Sequence, residues 1–121
     1  MAQVLIVDDS PTEIHILTTI LHKLGHTVQT ANNGEEGVAR SKELMPDLIL
    51  MDVVMPGMNG FQATRQITKN PETSHIPIII VTTKDQETDR VWGLRQGARD
   101  YVTKPVDEDT LVQKLKNLLG A

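Results

Sequence analysis

Two uninterrupted apolar runs constrain this chain more than any other feature. Leu48-Ile49-Leu50-Met51 closes on Asp52, and Pro77-Ile78-Ile79-Ile80-Val81 closes on Thr82-Thr83. Neither run alternates with polar residues. Each therefore reads as a strand covered on both faces, the condition of a central strand in a parallel sheet. Parallel neighbours cannot be joined by a tight hairpin, so the segments between them must supply crossover connections.

The rest of the chain supplies them. Gln3–Val7 reads as a first strand and ends on Asp8-Asp9. Ser10 is expected to N-cap a helix, with Pro11 at its first position and Glu13 reaching back in a capping box. Ile14, Leu17, Leu21 and Leu24 give that helix one apolar stripe, and Gly25 ends it. Residues 26–31 form a weak edge strand, Asn32-Asn33-Gly34 a turn, and residues 35–45 a second helix stopped by Pro46. Asn59 caps a third helix over Gly60–Lys69, with Phe61, Thr64, Ile67 and Thr68 inward. A weakly striped helix begins at Gln86 and closes at Gln96, carrying Val91, Trp92 and Leu94. Its internal Gly93 costs about 1 kcal/mol relative to Ala. Asp100–Thr103 is the last strand, followed by Lys104-Pro105 and a final helix capped by Asp107, with Leu111, Leu115 and Leu118 as its stripe. Strand and helix thus alternate five times. The predicted fold is a single α/β domain, a flavodoxin-like (βα)5 doubly wound parallel sheet of strand order 2-1-3-4-5.

Composition narrows the function. A net charge of −4 argues against a nucleic-acid-binding module, and the absence of cysteine removes disulfides and thiolate metal sites. The N-terminus lacks the basic region of a secretory signal, and no apolar run approaches the ~20 residues of a membrane span. The expectation is a cytoplasmic monomer, residues 1–121 acting as a stand-alone domain with no output domain after Ala121.

Parallel strands bring all their C-terminal ends to one edge. That edge would collect Asp8, Asp9, Asp52, Thr82 and Lys104. Three converging carboxylates repel one another, and Lys104 supplies only one fixed positive charge. The remainder favours a hard divalent cation with oxygen ligands, and Mg²⁺ fits best. An Asp beside such a cation, with a Lys and a Thr hydroxyl near, is equipped to accept a phosphoryl group. Thr82 would donate a hydrogen bond to a phosphoryl oxygen. Its movement would leave space for Tyr101, the one tyrosine of the chain. Taken singly these residues mean little, since an Asp pair after a strand often just precedes a helix N-terminus. Their conjunction at the ends of four separate strands is what carries weight. His22 and His26 have helical spacing, but Gly25 should break the helix between them, so no metal site is expected there.

The motifs Val4-Leu5-Ile6-Val7-Asp8-Asp9, Asp52 with Met55-Pro56-Gly57 and Gly60, Val81-Thr82, and Tyr101-Val102-Thr103-Lys104-Pro105 resemble the receiver domain of two-component response regulators, the CheY-like family. The resemblance implies that Asp52 is the phosphoacceptor. It implies that Asp9, Asp52 and the backbone carbonyl of Val54 hold Mg²⁺, with Asp8 acting through water. It further implies a Thr82–Tyr101 switch pair, contact of Lys104 with the phosphoryl group, and a cis Lys104-Pro105 peptide. Within the family, residues 60–66 and 81–101 look closest to stand-alone regulators of type IV pilus chemosensory systems. That implies phosphorylation by a CheA-like sensor histidine kinase and a role in twitching motility. The target would be a pilus motor or other output protein, meeting the face around the Gln86 helix, Tyr101 and the last helix. A phosphate sink for a sister regulator is the alternative. Thr83 departs from the family, which usually has a small residue there, and Val54 and Lys84 stand where members vary in dephosphorylation.

Such a module is not an enzyme beyond self-phosphorylation and self-dephosphorylation. An Asp-nucleophile phosphatase of the haloacid dehalogenase type would carry Asp-x-Asp on strand one and a cap domain. A flavodoxin would need a hydroxyl- and glycine-rich phosphate loop, where Asp8-Asp9-Ser10-Pro11 would repel phosphate.

Overall fold

The computed structural model describes residues 1–120; Ala121, on which the expected end of the domain falls, lies outside the described residues. The strands are β1 (Gln3–Val7), β2 (Thr27–Ala31), β3 (Leu48–Met51), β4 (Ile78–Thr82) and β5 (Asp100–Thr103). They alternate with α1 (Pro11–Lys23), α2 (Gly34–Leu44), α3 (Gly60–Lys69), α4 (Glu87–Arg95) and α5 (Glu108–Leu119). All pairings are parallel and the order is β2-β1-β3-β4-β5, as expected.

Every residue of β3 and β4 is buried, because the two-residue period of a strand sends alternate side chains into separate cores. Val4, Ile6, Leu48, Leu50, Ile79 and Val81 meet Leu17, Ile20 and Leu21 of α1 and Leu111 and Leu115 of α5. Leu5, Val7, Ile49, Met51 and Ile78 meet Ala63 and Ile67 of α3 on the other face. A smaller cluster of Val53, Phe61, Ile80, Ala98 and Tyr101 lies beside them. Edge strand β2 buries only Ala31 fully.

Local details differ from the sequence reading for identifiable reasons. In α1, Ile20 is buried while Leu24 and Ile14 are only half-buried, and Leu24 is the C-cap with Gly25 just beyond it. The α1 capping box is not formed. Ser10 Oγ accepts the Glu13 N–H at 3.3 Å, but the Ser10 N–H goes to Asp8 Oδ1 at 2.9 Å, a stronger charged acceptor. A complete box closes α3 instead, where Asn59 and Gln62 exchange bonds of 2.9 Å each. In α3, Ala63 is fully buried and Thr68 only partly. Gly93 is the one buried residue of α4. A Cβ there would lie 2.8 Å from Ile80 Cδ1 and 3.2 Å from the Tyr101 ring. This helix rests on the sheet through a glycine, which is why its apolar stripe is weak.

Candidate functional site

Strands β1 and β3 are neighbours in register, Val7 opposite Met51, and each delivers an aspartate at its next residues. The Asp52 N–H donates to the Val7 carbonyl at 2.9 Å, which fixes the two strand ends side by side. One carboxylate oxygen from each of Asp8, Asp9 and Asp52 lies within 4.8 Å of the others. Among the described residues, this is the one group of histidines and carboxylates close enough to hold a metal ion. The histidines do not assemble, and His26 Nδ1 instead accepts the Ala2 N–H at 3.0 Å.

The three acids have different roles. Asp8 is buried, and both its oxygens are engaged, Oδ1 by the Ser10 N–H and Oδ2 by Lys104 Nζ, each at 2.9 Å. Asp52 is also buried. Its Oδ1 accepts the Val53 N–H at 2.8 Å and stands 3.7 Å from Lys104 Nζ. Asp9 is exposed, and no protein donor bonds its carboxylate among the described residues. Lys104 reaches this centre from just past β5, with its side chain 8% exposed and its N–H on the Thr82 carbonyl at 2.7 Å. The Lys104-Pro105 peptide is cis, as the resemblance implied.

Burial raises the Asp52 pKa to about 6, and the neighbouring Asp8 charge adds to the rise. Lys104 and the Val53 and Val54 N–H groups oppose it without cancelling it. Burial pulls the Lys104 ammonium down, yet its hydrogen bond to Asp8 and the charges of Asp52, Asp8 and Glu13 carry it above its usual value. Three carboxylates thus face one ammonium, and the donor atoms not already engaged are hard oxygens. That donor set fits Mg²⁺.

Gly60 shapes the pocket from beneath. A Cβ on it would come within 1.9 Å of the Asp52 carbonyl oxygen, so α3 can begin against Asp52 only through a glycine.

Thr82 and Tyr101 lie on this edge but make no hydrogen bond to the carboxylates. Thr82 is fully buried, and its Oγ1 accepts the Lys84 N–H at 3.3 Å. The Tyr101 hydroxyl donates to the Lys84 carbonyl at 2.7 Å. Burial, then the charges of Asp89 and Asp85, push the Tyr101 pKa up to about 12. The sequence reading has Tyr101 filling space that Thr82 vacates. That expectation concerns Thr82 after it has moved toward a phosphoryl group; in this structure both side chains are buried, and a Cβ on Gly93 would come 3.2 Å from the Tyr101 ring. Val54, Thr83 and Lys84 are exposed, and Trp92 is 51% exposed. The Ser10 N–H on Asp8, the close approach of Gly60 to Asp52 and the Lys84 backbone between Thr82 and Tyr101 were not read from sequence, where Gly60 and Lys84 entered only through the family resemblance. These parts are played by backbone atoms or by a missing Cβ, which side-chain pattern does not register.

No helix among the described residues is long and apolar enough to cross a membrane. A model of the response regulator receiver domain matches residues 4–116. Protein PilH of Pseudomonas aeruginosa is 66% identical over 120 residues, 99% of each chain. The chemotaxis protein CheY4 of Vibrio cholerae has a TM-score of 0.90 and 32% identity, covering 98% of this chain and 99% of that one. The receiver domain of the sensor histidine kinase PA1611 from Pseudomonas aeruginosa, with a magnesium ion coordinated in its active site cleft, has a TM-score of 0.90 and 30% identity, covering 99% of this chain and 98% of that one.

Proposed function

The chain belongs to the response regulator receiver family, and on that premise we propose that Asp52 is its phosphoacceptor, served by Lys104 and Thr82. The observation that carries this reading is the placement of Asp52, buried between the Asp8 carboxylate and the Lys104 ammonium at 3.7 Å. Asp9 and Asp52, with the Val54 carbonyl, are the residues that would hold Mg²⁺, and Asp8 would act through water. When bound, the cation supplies positive charge to the phosphoryl oxygens.

The chain's own residues do the rest. The Val53 N–H and Lys104 hold Oδ1 of Asp52, so the other oxygen is free to attack phosphorus. The new bond is O–P. The bond broken is N–P of a phosphohistidine, whose imidazole leaves with the electron pair and takes a proton. Lys104 stays cationic throughout and balances the added charge. A phosphoryl oxygen would then draw the Thr82 hydroxyl as donor. Moving Thr82 disturbs the Lys84 N–H it now accepts, and Lys84 holds the Tyr101 hydroxyl through its carbonyl. The signal reaches α4, β5 and α5, the face that would meet an output partner.

The donor in this reading is a CheA-like sensor histidine kinase in the cytoplasm, and the output is type IV pilus twitching motility, with residues 1–121 acting alone as a switch rather than as an enzyme. The similarity to PilH supports this assignment. The test is intact mass after incubation with Mg²⁺ and acetyl phosphate, on the wild type and on Asp52→Ala. A labile single-phosphate adduct on the wild type alone is expected. An adduct that persists in Asp52→Ala would move the acceptor elsewhere.

A further inference from the structure

Trp92 is the one tryptophan of the chain, and it has no part in the site described. It lines one side of a cleft of about 370 Å³ between α3 and α4, with Gln96 beside it and Asn59, Phe61, Gln62 and Arg65 across from it. Phe61 and Gln96 are buried, while Gln62 and Arg65 are exposed. The cleft is therefore walled by the Phe61 and Trp92 rings with the Gln96 amide at its floor, and its rim is polar. Val91, next to Trp92, is 41% exposed, so the apolar surface continues over the outer side of α4.

The charge around this cleft runs against the rest of the molecule. The chain carries a net −4, yet α3 contains no acidic residue and no carboxylate lines the cleft. Arg65 stands on the cleft itself. Arg95 follows Trp92 by three residues on α4, which places it on the neighbouring part of the helix surface. Both are exposed, and neither forms an ion pair among the described residues. The acids of α4 are already committed, Glu87 to Arg90 at 3.8 Å and Asp89 to Lys84 at 3.7 Å.

We propose that the α3–α4 cleft is a docking site for an acidic amphipathic helix of a partner protein, whose apolar side chain enters between Phe61 and Trp92 while its carboxylates meet Arg65 and Arg95. A helix laid in a groove reads as apolar anchors at helical spacing, and exposed Trp and Arg are the residue types that dominate binding energy at interfaces. The unpaired arginines on an otherwise acidic molecule select the sign of the partner by charge complementarity. This surface lies on the α3 side of α4 and does not depend on which residue carries phosphate. It still bears on the switch, since Gly93, adjacent to Trp92, rests on the Tyr101 ring.

Because Trp92 is the only tryptophan, its emission reports directly on the cleft. Two synthetic amphipathic peptides with the same apolar face, one flanked by Glu and one by Lys, are titrated into the full chain. The Glu peptide is expected to shift Trp92 emission saturably, and added salt should weaken it. The double variant Arg65→Glu/Arg95→Glu should weaken it by about tenfold or more, since both substitutions reverse charge at the rim. These positions are exposed, and circular dichroism of the double variant is expected to match the wild type. Three results would overturn the proposal: no saturable shift with the Glu peptide, equal binding of the Lys peptide, or binding indifferent to the double variant. Concentration-dependent self-association that buries Trp92 without any peptide would assign the face to a second copy of the chain and overturn it as well.

Discussion

Thr82 and Tyr101 are joined through a single residue. The Lys84 N–H donates to Thr82 Oγ1 at 3.3 Å, and the Tyr101 hydroxyl donates to the Lys84 carbonyl at 2.7 Å. The two side chains sit on neighbouring strands, and neither hydrogen-bonds the other. The backbone of the β4–α4 connection stands between them, so a pull on Thr82 would be felt at Tyr101 as a displaced acceptor.

This link predicts a measurable coupling. Tyr101→Phe keeps the ring and removes one hydrogen bond, which should cost roughly 0.5–1.5 kcal/mol in urea unfolding. Thr82→Ala removes the other contact with Lys84. The double variant should depart from additivity by about 0.5 kcal/mol or more, because both bonds hold one residue. Strict additivity would show that Lys84 does not connect them.

Asp52 sets a pH dependence whose sign follows from its raised pKa. The unfolded carboxyl titrates near 3.8, the folded one at about 6. Between those values the folded state holds the extra proton, so this group's contribution to stability is present below about pH 4 and is lost as pH rises through about 6. With a chelator present, Asp52→Asn should match the wild type near the acid end. It should become more stable than the wild type by roughly 1–3 kcal/mol above about pH 7. Added Mg²⁺ should narrow that gap by stabilising the wild type through mass action. Urea midpoints of both proteins across this range check it, and a gap that does not change with pH would contradict the assignment.

The sheet and its site were legible where side-chain pattern carries the information. Two apolar runs placed β3 and β4 at the centre, and the strand ends then had to gather Asp8, Asp9, Asp52 and Lys104. The remaining features were set by atoms that sequence pattern does not weigh. The Ser10 N–H preferred Asp8 over Glu13 because the strand end had already brought that carboxylate within 2.9 Å. The Tyr101 ring packs against Gly93, where a Cβ would come 3.2 Å from it, a tertiary fact that in the sequence appears only as a blemish in a helix. Ile20 displaced Leu24 from the α1 core because the helix reaches its cap at Leu24.

Gly60 gives a prediction from close approach. Gly60→Ala would place Cβ 1.9 Å from the Asp52 carbonyl oxygen and 2.8 Å from Val53 Cα, both backbone atoms that cannot swing aside. Overpacking of this kind should cost about 3 kcal/mol or more, beyond what the better helix propensity of Ala returns. The strand end that presents Asp52 must shift as well, so uptake of phosphate from acetyl phosphate should slow in whatever fraction remains folded. Unfolding midpoints and intact mass on the same preparation separate the two effects. An unchanged midpoint would mean that α3 can retreat from Asp52 without cost.

Thr64 gives a prediction of the opposite sign. It lies on the buried side of α3 with no exposed surface, and its Oγ1 has no hydrogen-bond partner. A buried hydroxyl without a partner carries a desolvation cost that no contact offsets. Thr73, also fully buried, shows the satisfied alternative, donating its hydroxyl to the Ile67 carbonyl at 2.7 Å. Thr64→Val keeps the shape and β-branching while removing the polar atom, so it should stabilise the protein by about 0.5–1.5 kcal/mol. Thr73→Val removes a made bond and leaves the Ile67 carbonyl without it, so it should destabilise by a similar amount. Neither residue touches the carboxylates, and phosphate uptake from acetyl phosphate should be unchanged in both. If Thr64→Val instead weakened the fold, its hydroxyl would have to be satisfied by an ordered water, and Thr64→Ala would then separate loss of that bond from loss of packing.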